Sequence, residues 1–185
     1  PKDVHGQDLE HIMGSLGLLN GEILLSREKQ PPAGMAMMYN MADCTINISD
    51  AEGFGLSTLE SLSCETPIIV NMTGGLQEQV TDGENWFGIG LEPCSKAVIG
   101  SQDVPYIYED RLEKETFIDA LERFYNLSSE QRAEMGRLGA AHVHNNYNYD
   151  NYLTQWDQAL TKIHEACGSW ETRKGYLPYD FREIT

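Results

Sequence analysis

The sequence predicts an α/β fold in which flanking helices cover a parallel sheet and a helical part follows. Two observations lead to this prediction. In the first half, short apolar runs alternate with helix-like segments, which is the order that the βα units of a parallel sheet require. From Leu112 onward the apolar residues recur at helical spacing. The 185 residues are enough for one domain with its own core.

Four strands are predicted in the first half of the chain. They are the apolar runs at residues 21–26, 44–49, 66–71 and 85–93. Helices are predicted over residues 7–19, 31–43 (opened by two prolines), 55–64 and 74–83 (closed by Gly83). No strand precedes the first helix-like segment and the chain does not start with Met, so we expect it to begin inside the fold and to lack the first strands of its sheet.

The second half is predicted to be a long loop followed by helices. Residues 94–110 are interpreted as the loop, with one edge strand at 104–108. The helices are predicted over residues 112–127, 128–147 (with Ser128 or Ser129 as the N-cap) and 149–166. The last of these has an apolar stripe that we expect to be incompletely packed in this chain. The predicted organisation is thus a single, partial domain over 1–185, with an α/β part at 1–92, C-terminal helices at 112–167 and a tail at 168–185.

Composition excludes several classes of function. The net charge of −16, from 29 acidic and 13 basic residues, disfavours nucleic acid and anionic membranes as partners. No apolar run approaches the roughly 20 residues of a membrane span, and the N-terminus does not resemble a secretory signal. The four cysteines form no CxxC pair, which favours reduced thiols over a zinc site or disulfides. We therefore expect a cytoplasmic protein.

The stretch DAEGFGLSTLE, residues 50–60, is the strongest candidate for a site. It follows the predicted strand 44–49, and ligands of open parallel sheets bind at the carboxyl ends of strands. Its two glycines leave backbone N–H groups unshielded at the start of a helix, where an anion binds well. Glu52 lies in the loop and Glu60 on the second helical turn, where carboxylates can accept hydrogen bonds from sugar hydroxyls. The pattern predicts a ligand with both an anionic and a hydroxyl-rich part.

Three successive stretches, EGFGLSTLE, SCETPIIV and TGGLQEQVTDG, resemble the donor-binding half of GT-B glycosyltransferases, especially glycosyltransferase family 4. Glu52 and Glu60 match the family's Glu-x7-Glu element, residues 67–70 match its next strand, and residues 74–80 match its Gly-Gly-x-x-Glu-x-Val helix start. The preceding MYNMADCTINIS is similar to the family's Tyr-x-x-Ala-Asp segment. The resemblance implies the Rossmann-like C-terminal domain of a GT-B enzyme.

The resemblance also implies a role for each residue of the motif. Glu52 would be the catalytic glutamate beside the transferred sugar, and Glu60 would bind the ribose hydroxyls of the nucleotide. The remaining donor-binding residues would be Gly53, Phe54, Gly55 and Leu56, whose backbone amides meet the sugar and the diphosphate. The implied reaction is transfer from a nucleotide-diphospho-sugar with retained anomeric configuration, with no cofactor and no obligatory metal.

Further partners follow from the same resemblance. They are an acceptor (a sugar, lipid or protein that the sequence does not identify) and an N-terminal GT-B domain absent from this chain. That domain would supply acceptor contacts and any membrane association, so we expect the chain alone to be inactive. The family's basic pair, which clamps the diphosphate, has no assignable equivalent here.

Two alternative functions remain open from the sequence. One is a non-catalytic module that binds a nucleotide sugar or serves as a scaffold, and the other is a sugar-nucleotide epimerase, which has the same architecture. The presence of both Glu52 and Glu60 favours the transferase over the scaffold. Gly74 and Gly75 are interpreted as a structural turn into their helix, and His142 with His144 as a solvated pair rather than a metal site.

Overall fold

Three parallel strands form the central sheet of the computed structural model, which describes residues 7–26 and 28–174. The strands are β1 (Thr45–Asn47), β2 (Ile68–Asn71) and β3 (Gly88–Leu91), hydrogen-bonded in the order β1-β2-β3. Ile46 of β1 pairs with Ile69 of β2, which in turn pairs with Ile89 of β3. The predicted α/β fold class with a parallel sheet is confirmed.

Seven helices lie in the described residues. They are α1 (Leu9–Ser15), α2 (Pro32–Met41), α3 (Leu56–Ser63), α4 (Leu76–Val80), α5 (Lys114–Tyr125), α6 (Ser129–Asn146) and α7 (Tyr149–Cys167). Each lies within or close to a predicted helix. Ser128 caps α6 in a reciprocal capping box with Gln131, as expected. Two predicted helices end too late. Helix α1 ends at Ser15 and not at residue 19, and α4 ends at Val80 because Thr81 already has extended backbone angles.

Both faces of the central strand β2 are buried, as its continuous apolar run predicts, whereas Ile46 of the edge strand β1 is exposed. Alternate residues of a strand point to opposite faces, so Ile68 and Val70 share one face and Ile69 points to the other. The first face packs with Leu62 of α3, residues of α4 and Val143 of α6. The second packs with Ala120 and Phe124 of α5. This arrangement fixes the carboxyl ends of the strands, where the candidate site lies.

The predicted strand at residues 21–26 is wrong. No strand is formed there, and the leucine at its centre, Leu24, is 87% exposed. A strand needs a hydrogen-bonded neighbour, and no described strand lies beside this run. The described sheet therefore has three strands instead of the four predicted.

The long loop predicted at residues 94–110 is also wrong. The segment forms an antiparallel hairpin of β4 (Ser95–Ile99) and β5 (Ile107–Arg111), which pair with each other and not with the central sheet. The edge strand predicted at 104–108 overlaps only the start of β5. The hairpin lies between β3 and α5 in the chain.

Helix α7 has no buried residue. Its apolar stripe is exposed, and Trp156 has 52% of its side chain accessible, which confirms the expected incomplete packing. None of the described helices combines the length and apolarity needed to cross a membrane. Of the predicted tail at 168–185, residues 175–185 lie outside the described residues.

Candidate functional site

The loop between β1 and α3 carries the EGFG motif, and its backbone requires a glycine where the helix begins. Gly55 is the N-cap of α3 and has φ of 88°, in the left-handed region. A Cβ at this position would lie 2.6 Å from the Cδ2 atom of Leu76 and 2.8 Å from Oγ1 of Thr58. Any other residue would therefore face both backbone strain and a collision.

The double glycine after β2 lies directly against this loop. A Cβ on Gly74 would fall on the backbone carbonyl oxygen of Glu52, far inside contact distance. A Cβ on Gly75 would lie 2.8 Å from the Cα atom of Phe54. The structural interpretation of the two glycines is thus correct, and the structure adds the reason: two loops touch backbone to backbone.

Glu52 lies in the loop and is half-buried. Its Oε2 atom accepts a hydrogen bond from the side-chain amide of Asn47, at 3.3 Å. The Oδ1 atom of Asn47 accepts hydrogen bonds from the backbone N–H and the hydroxyl of Ser49. Because both ends of the Asn47 amide are engaged, its orientation is fixed and it directs one Glu52 oxygen.

Glu60 is exposed and is the fifth residue of α3. Its Oε2 atom accepts a hydrogen bond from the hydroxyl of Tyr39, at 3.0 Å. Tyr39 is 8% exposed, and burial together with this hydrogen bond to a carboxylate raises its pKa to about 12. The Tyr39 hydroxyl therefore stays protonated and can donate to Glu60 throughout the physiological pH range.

Between the two glutamates, Gly53, Phe54 and Leu56 are exposed, whereas Gly55 is buried. Gly53 has open space where a Cβ would be, and Leu56 is 68% exposed. The Phe54 ring packs edge-on against Tyr147, with centroids 5.7 Å apart. The backbone N–H groups of residues 53–56 donate no hydrogen bond to any described part of the chain. The loop thus presents unpaired donors at the N-terminus of α3, which carries a partial positive charge.

The β4–β5 hairpin is fastened to the same end of the sheet. The backbone N–H of Asp110 donates to the carbonyl oxygen of Asp50, at 2.7 Å, and Arg111 forms an ion pair with the Asp50 carboxylate, at 2.6 Å. Thr73, in the loop after β2, donates its hydroxyl to Asp110, and this hydrogen bond lowers the pKa of Asp110. The hairpin is therefore anchored two residues before Glu52 in the chain, a contact that the sequence did not predict.

A cavity of about 610 Å³ lies beside this loop instead of at it. It is lined by residues of the α4–β3 turn and of α6, among them Asp82 and His142. His142 stacks on Phe87 and contacts the carbonyl oxygen of Glu78, at 3.0 Å, so it is a packing residue and not one of a solvated pair. Tyr147 lines the cavity and also contacts the Phe54 ring, so the cavity lies next to the EGFG loop.

Comparison with known proteins identifies the family. Residues 8–140 match the profile of the family described as glycosyl transferases group 1. The chain belongs to this family.

Individual relatives agree with this assignment. A D-inositol 3-phosphate glycosyltransferase of Paenarthrobacter aurescens is 27% identical over 136 residues, which are 74% of this chain and 28% of the relative. A protein of the same name from Acidothermus cellulolyticus is 44% identical over 77 residues, 42% of this chain and 17% of the relative. The chain thus spans less than a third of the length of these relatives.

Solved structures of related fold are a sucrose-phosphate synthase from Thermosynechococcus elongatus and a starch synthase IV catalytic domain from Arabidopsis thaliana bound to ADP and acarbose. The sucrose-phosphate synthase has a TM-score of 0.59 at 22% identity, and the match covers 85% of this chain and 34% of the synthase chain. The starch synthase domain has a TM-score of 0.58 at 18% identity, and the match covers 83% of this chain and 29% of the starch synthase chain. At these identities the similarity shows the fold.

In this glycosyl transferase group 1 chain, the site residues predicted from the sequence, 52–56 and Glu60, lie in one loop and the helix that follows it, and their role stays a prediction. The sequence analysis did not name as site residues the polar side chains that contact this loop and its glutamates. These side chains are Tyr39 and Asn47, which donate to the glutamates, and Thr58 and Gln79, which hydrogen-bond the Gly55 and Phe54 carbonyl oxygens. The sequence offered one signal for them: Gln79 lies three positions after Leu76 and one before Val80, on the apolar side of a short helix, where a polar side chain must find a buried partner.

Proposed function

We propose that this chain is the donor-binding part of a retaining GT-B glycosyltransferase of family 4, which binds a nucleotide-diphospho-sugar and transfers its sugar without an obligatory metal. The observation that carries the proposal is the row of unpaired N–H groups at residues 53–56, with Glu52 before it and Glu60 after it. A helix N-terminus with free amides suits a diphosphate. Carboxylates on either side suit the hydroxyls of a sugar and a ribose.

Each glutamate has one oxygen held by the protein and one that accepts no hydrogen bond from the described residues. Asn47 holds the Oε2 atom of Glu52, and Tyr39 holds the Oε2 atom of Glu60. The second oxygen of each is available to a ligand. In this proposal Glu52 lies beside the anomeric carbon and Glu60 binds the ribose.

The proposed chemistry follows from the charge that develops during transfer. The bond from the anomeric carbon to the diphosphate oxygen breaks, and its electron pair leaves with the diphosphate. The amides of residues 53–56 stabilise that negative charge, and Glu52 stabilises the positive charge on the sugar. The acceptor hydroxyl then bonds to the anomeric carbon on the face that the diphosphate leaves, and its proton passes to the departing diphosphate oxygen. The relatives named D-inositol 3-phosphate glycosyltransferase support a transfer of this kind.

Binding of nucleoside diphosphates tests the donor site directly. Isothermal titration of this chain with UDP, GDP and ADP is expected to give saturable binding of at least one of them, unchanged by EDTA. Glu60→Gln weakens a charge-assisted hydrogen bond to the ribose, so binding should weaken about 10- to 100-fold. Glu122→Gln, at an exposed position of α5, is the matched control and should bind as the unaltered chain does. Absence of binding to all three would contradict the proposal.

Turnover in the complete protein separates the roles of the two glutamates. Glu52→Gln should lower kcat more than it raises the donor KM, because the developing sugar charge exists only in the transition state. Glu60→Gln should mainly raise the donor KM, because the ribose is bound in both states. Product analysis by NMR should show a new glycosidic bond with the donor's anomeric configuration. An epimerised nucleotide sugar, or bound donor without any product, would overturn the transferase assignment.

A further inference from the structure

Gln79 is a fully buried amide, with 0% of its side chain exposed, on a helix of only five residues. Glutamine is mostly an exposed residue, and burying its amide is costly unless both ends are hydrogen-bonded. Gln79 meets this condition with partners from outside its own helix. It therefore links α4 to another part of the fold.

Both partners of Gln79 belong to the EGFG loop and the helix that follows it. The Nε2 atom of Gln79 donates to the backbone carbonyl oxygen of Phe54, at 2.6 Å. Its Oε1 atom lies 2.6 Å from the hydroxyl of Thr58, which is also 2.8 Å from the carbonyl oxygen of Gly55. A carbonyl oxygen can only accept, so the NH₂ end of the amide must face Phe54.

The hydrogen bond to Phe54 determines where the next backbone N–H points. A trans peptide is planar, so the carbonyl of Phe54 and the N–H of Gly55 point in opposite directions. Gln79 holds that carbonyl toward the core, and the Gly55 N–H is therefore turned away from the core. This N–H is one of the donors that are unpaired in the described residues.

We propose that Gln79 is a positioning residue that orients the Phe54–Gly55 peptide so that the Gly55 N–H faces the phosphate-binding side of the loop. The proposal rests on the proposed function, because it assigns the role of one residue toward the same donor. Gln79 does not touch the donor. It acts through the loop, and Thr58 holds its amide in the required orientation.

The test compares Gln79→Glu with Gln77→Glu, which makes the same charge change on the same helix at an exposed position. The ionised carboxylate of Gln79→Glu cannot donate to Phe54, so the tightest-binding of UDP, GDP and ADP should bind about 10- to 100-fold more weakly. A protonated carboxyl can donate, and burial raises the pKa of a carboxyl. We therefore expect the nucleotide affinity of Gln79→Glu to recover as the pH is lowered from 8 to 5, when it is compared at each pH with the affinities of the unaltered chain and of Gln77→Glu.

Amide hydrogen exchange of the ligand-free chain gives a second readout that needs no donor. The loop is reported by the Leu59 N–H, which donates to the Gly55 carbonyl oxygen at 3.3 Å. Its exchange should accelerate in Gln79→Glu and remain unchanged in Gln77→Glu. Thr58→Val, which removes the hydroxyl and keeps the shape, should change exchange and binding in the same direction and serves if Gln79→Glu fails to fold. A folded Gln79→Glu with unaltered nucleotide affinity and unaltered loop exchange would overturn the proposal. If the unaltered chain binds none of the three nucleotides, the proposed function fails and loop exchange alone decides the role of Gln79.

Discussion

Single residues around the EGFG loop show a division between carboxylates with a free oxygen, which our proposal assigns to the donor, and the side chains that hold them. Tyr39 and Glu60 form the clearest pair. They lie 21 positions apart in the chain, on α2 and α3, and are joined by one hydrogen bond. The tyrosine is nearly buried, whereas the glutamate is exposed. The buried partner thus fixes one oxygen of a carboxylate whose other oxygen faces outward.

The stability of the fold at high pH tests the burial of Tyr39 and its hydrogen bond to Glu60 together. Burial first, and the hydrogen bond to Glu60 second, raise the pKa of Tyr39 to about 12 from an ordinary value of 10.0. A raised pKa means that the folded state holds the proton more tightly, so this stabilisation is complete below pH 10 and is lost as the pH rises toward 12. The difference of two units corresponds to at most about 2.7 kcal/mol.

Urea unfolding at several pH values between 8 and 12 measures this loss. The free energy of unfolding of the unaltered chain should fall more steeply above pH 10 than that of Tyr39→Phe, which has no phenolic proton. Tyr125→Phe, at an exposed tyrosine of α5, is the control and should follow the unaltered chain. Parallel curves for all three proteins would show that Tyr39 titrates at its ordinary pKa.

At the scale of elements, apolar runs were sufficient to predict each element that packs on the central sheet. The apolar run of β2 and the apolar residues at helical spacing in α5 and α6 are the residues that become buried when these elements pack together on the sheet. The run at residues 21–26 is equally apolar, yet it forms no strand, because pairing depends on a neighbour that no local pattern specifies. The β4–β5 hairpin was missed for the converse reason: its strands pair only with each other and are largely exposed.

The candidate site divides in the same way. The loop and its glutamates were predictable because glycines and carboxylates form a contiguous motif. Tyr39 and Gln79 were not, since each meets the motif through the folded chain, 21 and 25 positions away from its partner. A contiguous motif can be found in a sequence more readily than the long-range contacts that hold it in place.

The packing of α6 against α3 depends on glycines inside a helix, where glycine is otherwise unfavourable by about 1 kcal/mol relative to alanine. A Cβ on Gly136 would fall on the backbone carbonyl oxygen of Glu65, and one on Gly139 would lie 2.6 Å from Cδ2 of Leu62. The two helices therefore approach more closely than a side chain permits. We expect Gly136→Ala to destabilise the fold by about 1–3 kcal/mol in spite of its better helix propensity.

Gly14→Ala is the matched control for Gly136→Ala. It lies in α1, where a Cβ would meet only Cδ1 of Leu19, at an ordinary 3.5 Å. This change should leave stability unaltered or raise it by up to about 1 kcal/mol. Chemical denaturation of both variants measures the difference. Equal stabilisation by the two changes would show that α6 can move away from α3 at no cost.

At the scale of the whole molecule, the apolar core is concentrated on the sheet and large apolar side chains remain outside it. Helix α7 contributes a stripe that includes Tyr152, Trp156, Leu160 and Ile163, each more than half exposed. The aromatic members pack along the helix, with the Tyr152 and Trp156 rings 6.3 Å apart, and not against the body of the fold. The net charge of −16 opposes association of such surfaces between copies of the chain.

Tryptophan fluorescence tests this distribution, because the chain has three tryptophans and none is in the core. Trp86, Trp156 and Trp170 are 48%, 52% and 83% exposed, and Trp170 has the guanidinium of Arg173 over its ring at 3.7 Å. The folded chain should therefore emit close to the wavelength of tryptophan in water, and urea should shift its emission only slightly while far-UV circular dichroism shows full unfolding. Trp156→Phe should change the unfolding midpoint only slightly, since Trp156 is half exposed and the substitution keeps an aromatic ring there. A strongly blue-shifted emission would contradict this distribution. If the emission moved toward the wavelength of tryptophan in water on dilution, α7 would be covered by a second copy of the chain despite the charge. If the blue shift did not depend on concentration, α7 would pack onto its own chain.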